Sequence, residues 1–241
     1  MPSPIYYQIP STTLPPPSPP IHPLLRLELR DLSSPGAQRF LSTPNCGTLL
    51  STCVSSVISH LYTRTCAVPP TRSVTLILRS MPGVAYTTGT DLDADHKEIH
   101  FSTDYIAGIS EARIEAEICG VVCHEMVHCF QWDARGTAPG GLIEGVADWV
   151  RLRCRYVPPH WKREADGEWD AGYQHTGYFL EYLEGRFGEG SVRRVNEKLK
   201  GEDYEEERFW EGLFGEGVGR LWEEYGKSMT EESGKDCKER A

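Results

Sequence analysis

The sequence has no apolar run approaching the roughly 18 residues that a membrane-spanning helix requires, so a soluble protein is expected. Its first twenty residues contain no Lys or Arg and no apolar stretch, and do not read as a secretory signal. The default compartment is therefore cytoplasmic. None of the eight cysteines forms a C-x-x-C pair, so a cysteine-based zinc ribbon is not indicated. Internal repeats are absent. Positive charge is scarce after residue 100: eighteen Lys/Arg stand against twenty-nine Asp/Glu, a net of −11, whereas residues 1–100 carry a net of +1. An acidic surface repels phosphate backbones and anionic lipid, so neither nucleic acid nor a membrane is an expected partner.

What is present suits one globular domain: 241 residues, 39% hydrophobic and 25% charged. Residues 1–23 are proline-rich and read as a flexible lead-in. LLRLELRDL (24–32), VTLILRS (74–80), GVAYTTG (83–89) and KEIHFS (97–102) read as strands, the last two separated by an acidic loop, DLDAD. Between the first two, Leu49, Leu50, Val54, Val57, Ile58 and Leu61 have helical spacing. From Glu111 to about Gln131 the apolar spacing is helical again, with Ser110 as its N-cap. GTAPGG (136–141) breaks it, Leu142–Arg153 resumes, and stretches 172–187, 191–200 and 206–225 follow. Residues 227–241 are charged and read as a loose tail. A small sheet first and helices afterwards make an α+β domain over 24–226.

The phrase CHEMVHCFQWD contains H-E-x-x-H at His124, Glu125 and His128. Residues four apart on a helix differ by about 40° in azimuth and about 6 Å along the axis, so the two imidazoles can converge on one metal ion. Glu125, rotated by about 100° from His124, can lie beside the metal as a general base. Chance supplies roughly 0.03 such matches in a chain of this composition. Catalytic zinc needs a third protein ligand and an open position. Glu144 opens the next helix, sixteen residues after His128, and can return to the metal after one tight turn. Asp148, one turn on, is spaced to accept a hydrogen bond from the back nitrogen of a ligand histidine.

HEMVHCFQWDARGTAPGGLIEGVADWVRLR resembles the signature of the plant basic secretory protein family of zinc peptidases, found also in fungi and bacteria. The matching residues are His124, Glu125, His128, Gln131, Pro139, Gly140, Gly141, Glu144, Gly145, Ala147, Asp148 and Arg151. A weaker likeness reaches MPGVAYTTG, EIHFSTDYI and GYQHTGYFLEYL. The resemblance implies a zincin-like fold with an edge strand over the HExxH helix. It also implies a zinc ion held by His124, His128 and Glu144, with Glu125 as base and peptides or proteins as substrates. The chain departs from the family in its acidity and in lacking a recognisable signal segment.

An oxyanion donor is also needed opposite the metal. Tyr173 in GYQHTGY is the candidate and His175 the runner-up, against the alternative that both simply pack at a helix start. KEIHFS is the candidate edge strand for pairing with an extended substrate, with His100 an ordinary face residue. His22, His60, His96 and His160 are given no role. Gln131 and Arg151 are expected to hydrogen-bond the motif turn or pair with a carboxylate, Trp132 and Trp149 to anchor the core, and Cys123 and Cys129 to point away from the metal. Two other functions compete with a zinc peptidase: a zinc-stabilised binding or defence protein with little turnover, and a thiol hydrolase using Cys129.

Overall fold

The computed structural model describes residues 22–43 and 45–239, the last nine by their backbone alone. Almost all of the proline-rich lead-in lies outside these residues. Four strands form one mixed sheet: β1 (Leu24–Leu29), β2 (Ser73–Arg79), β3 (Ala85–Thr90) and β4 (Asp93–Ser102), in the order β1-β2-β4-β3. β1 runs parallel to β2 and β2 parallel to β4, while β3 returns antiparallel along β4. The crossover from β1 to β2 carries α1 (Pro35–Ser42) and α2 (Leu49–Leu61).

Strand alternation sets the two faces of the sheet. Val74, Leu76 and Leu78 of β2 align with Ile99 and Phe101 of β4 on the core face, all buried. On the opposite face the Arg79 guanidinium donates to His100 Nδ1 (3.1 Å), the other ring nitrogen lies 3.0 Å from Glu98, and Tyr86 stacks on the ring. His100 is thus the face residue that its alternation suggests.

The hairpin corrects two expectations. DLDAD is not a loop: only Asp91 and Leu92 turn, and Asp93–Asp95 belong to β4, where Asp93 and Asp95 both face the Arg72 guanidinium. KEIHFS is not an edge either. So short a turn folds β3 back along the outside of β4, which leaves β3 as one edge of the sheet, with β1 at the other.

After β4 comes a short helix that apolar spacing did not signal, α3 (Thr103–Gly108), started by Ser102, whose hydroxyl accepts from Tyr105 N–H at 3.3 Å. Glu111–Arg113 form a 3₁₀ turn with no side-chain bond from Ser110, so the expected cap is not made. Helix α4 (Ile114–His128) runs through the centre of the molecule. Ile118, Val121, Val122, Cys123, Met126 and Val127 are buried all round it, which is how an interior helix differs from a surface one.

α5 (Gly140–Arg153) follows, then α6 (Tyr173–Phe187), α7 (Ser191–Lys198), α8 (Glu206–Phe214) and α9 (Val218–Glu239). The single stretch expected over 206–225 is divided at Gly215–Gly217. α9 continues through most of the segment read as a loose tail. Among the described residues no helix is long and apolar enough to cross a membrane.

Candidate metal centre

α4 ends on its two histidines, and the chain reverses through Pro139, the residue before α5. The close start of α5 depends on Gly141: a Cβ there would lie 1.6 Å from the carbonyl oxygen of Asp170. The first turn of α5 can therefore press against the segment that leads into α6. Glu144 comes back to α4 one turn later.

The geometry brings the predicted ligands together. His124 Nε2 lies 3.0 Å from Glu144 Oε2 and 3.2 Å from His128 Nε2, and His128 Nε2 lies 3.7 Å from Glu144 Oε1. One donor atom from each of the three residues falls within 4.8 Å of the others. Behind His124, Nδ1–H donates to Asp148 Oδ1 at 2.7 Å, and Asp148 is only 2% exposed. That bond keeps a proton on Nδ1, so that Nε2, once it gives up its own proton, turns a lone pair to the cluster. Two imidazole nitrogens aimed at each other beside a carboxylate form a donor set suited to a cation. The cluster could bind a metal ion.

Burial works against a charge on His124, but the carboxylates of Asp148 and Glu144 outweigh it and raise its pKa to about 9. Burial likewise opposes ionisation of Glu144, and the two imidazoles override it and hold the carboxyl well below the usual range. Behind His128, the Gln131 amide lies 3.2 Å from Nδ1 and 3.3 Å from Ile143 O, while its Oε1 is buried without a partner. The Nε2 group that donates to Ile143 O is thus also the one that meets His128, and the amide spans this ligand and the first turn of α5.

Glu125 is buried, and its Oε2 accepts from the Thr87 hydroxyl at 2.7 Å. The same hydroxyl lies 3.0 Å from the Glu125 carbonyl. Thr87 belongs to the edge strand β3 and was not singled out from the sequence, because no local spacing links residues 38 apart. Tyr173 begins α6 at φ +47, a left-handed conformation uncommon outside glycine. Its ring stacks on His124 with centroids 6.2 Å apart and is 56% exposed. His175 is turned the other way. Its ring packs 5.0 Å from Trp222 with Nε2 buried and unpartnered, so the runner-up donor does not reach the site.

Other expectations divide. Arg151 does pair with a carboxylate, Glu117, at 3.2 Å. Trp149 is buried in the core; Trp132 packs half-buried against that core and also lines the cleft that holds the metal ligands, as does His160. Cys123 Sγ lies 3.8 Å from Cys154 Sγ and Cys129 Sγ 3.7 Å from the Glu125 carbonyl, both outside the ligand cluster. Burial pushes the Cys129 thiol above its ordinary range, which disfavours the thiolate a thiol hydrolase needs.

No curated protein and no solved structure matches the chain. The BSP family model, described as a peptidase of plants and bacteria, matches residues 22–225. That span holds every residue of the metal cluster and both helices that carry it, and the chain belongs to this family of peptidases, the basic secretory protein family.

Proposed function

We propose that the chain is a zinc-dependent metallopeptidase of zincin type, with residues 24–226 as its peptidase domain. One observation carries the reading: His124, His128 and Glu144 converge from two helices while Glu125 stands beside them, held by Thr87. Two imidazoles and one carboxylate are a donor set used by catalytic zinc, and leave a coordination position for water or substrate. The metal, when bound, supplies a Lewis acid that polarises the scissile carbonyl and acidifies water.

The protein's own groups do the rest. Asp148 holds His124 in the ligating tautomer. Glu125 takes the proton from the attacking water and returns it to the leaving amine. The Tyr173 hydroxyl, on the rim of the cleft, donates to the oxyanion. The open edge of β3 offers backbone N–H and C=O groups to an extended peptide, which favours peptide substrates over small molecules.

The experiment is Glu125→Gln with metal analysis of both proteins. The variant is expected to retain stoichiometric zinc and lose hydrolysis by about 10²–10⁴-fold. Equal activity in the two proteins would reject the mechanism. A zinc-loaded wild type that cleaves no peptide would leave the alternative, a zinc-stabilised binding or defence protein.

A further inference from the structure

The face of α4 that carries the ligand histidines continues past the metal. Going back from His128, it presents His124, Val121 and Glu117, at steps of four, three and four. The matching face of α5 presents Glu144, Asp148 and Arg151. The helices run in opposite directions, so Arg151 meets Glu117. Both side chains are buried. Arg151 Nη2 lies 3.2 Å from each Glu117 oxygen, and the Tyr105 hydroxyl donates to Oε1 at 2.9 Å. Arg151 Nε donates to Tyr156 O at 3.0 Å. Gly120 makes room for the guanidinium, since a Cβ there would lie 2.6 Å from Nε.

This ion pair lies about 10 Å along the helix from His124, at 1.5 Å per residue, with Val121 between. Pair and metal ligands line one cleft of about 1010 Å³, whose walls at the far end include Tyr105, Pro158 and Trp161. Trp161 is braced by the Arg151 guanidinium (5.3 Å from its centroid) and by Tyr178 (6.3 Å).

We propose that this end of the cleft is a side-chain pocket selecting a large uncharged residue, aromatic or branched aliphatic, of a peptide substrate. The proposal rests on the peptidase reading above. The walls are apolar or aromatic, so a large side chain loses water there and gains contact. The floor carries both signs of charge, each already satisfied. An incoming Lys or Arg meets Arg151 and an incoming Asp or Glu meets Glu117, so either charge loses water beside a group of its own sign whose counter-ion is already engaged. A small side chain leaves the space to water.

Binding separates the pocket from the chemistry. The probes are acetyl-Ala-Ala-Xaa-Ala-Ala-amide peptides with Xaa Phe, Leu, Ala, Lys or Glu, titrated calorimetrically into zinc-loaded Glu125→Gln protein. Phe and Leu peptides are expected to bind at least about tenfold more tightly than the other three. In the Trp161→Ala, Glu125→Gln double variant that advantage should shrink to about threefold or less, with the Ala peptide unchanged. Equal affinities across the series, no binding at all, or an undiminished preference without Trp161 would overturn the pocket. Cleavage of the same peptides by wild type is read separately. Ordered binding without cleavage rejects the peptidase reading and keeps the pocket; cleavage blind to Xaa does the reverse.

Discussion

The hydroxyl of Thr87 spans the gap between an edge strand and the helix that carries Glu125. A hydrogen bond to a charged group is worth about 1.5–3 kcal/mol, so on the proposed mechanism Thr87→Val should lower kcat by roughly ten- to a hundredfold. KM and zinc content should change little, and Thr87→Ser should restore most of the rate. Steady-state kinetics on the three proteins checks this, and a loss confined to KM would contradict it. The metal cluster makes a second prediction. In metal-free protein the His124 pKa stands at about 9 against an ordinary 6.5, so its contribution to stability is complete below pH 6.5 and lost as pH rises through 9. Glu144 is shifted down from 4.5, so its contribution is complete above that pH and lost as pH falls. The Tm of metal-free protein should therefore peak between about pH 4.5 and 6.5 and decline toward 9. Calorimetry of wild type and His124→Gln across this range should show a flatter alkaline limb in the variant. His124, His128, Glu144 and Asp148 were legible in the sequence because steps of four fix their azimuth on a helix. Thr87 was not, since its partner is chosen by tertiary packing.

At the scale of elements, strand composition was legible and strand order was not. A continuous apolar run marks β2 and alternation marks β4 wherever they pair, but neither carries information about which strand lies outside. That was decided by a two-residue turn inside what reads as an acidic loop. α3 escaped notice because its six residues are too few for a period to show. α4 and α5 were legible for the opposite reason: long periodic segments separated by PGG. Their packing yields a prediction about stability. Gly120→Ala would drive a methyl group into the Arg151 guanidinium and leave Glu117 poorly paired in a buried setting. Breaking such a pair costs about 3–5 kcal/mol, and chemical denaturation should register a loss of that order. A change below about 1 kcal/mol would mean that the helices can part at this point.

For the molecule as a whole, the cluster joins two helices that lie at the centre of the core. A cation bound there stabilises only the folded chain, by about 4 kcal/mol when present at a thousand times its Kd. Stripping metal with a chelator should lower Tm by several degrees, and zinc should restore it; a Tm indifferent to both would argue against a metal in this cluster. Both helices fall within the span shared with the family, as do the sheet and α6. Family likeness was visible from the motif alone, and the net charge of −11 after residue 100 alters no ligand.

The contact of Gly141 with the Asp170 carbonyl has a reach beyond its two atoms. Three residues after that glycine stands Glu144; three residues after that carbonyl stands Tyr173. Backbone touching backbone there acts as a pivot pin for two side chains from separate helices. Any methyl group inserted at the joint would throw both out of alignment together, though neither residue had been altered.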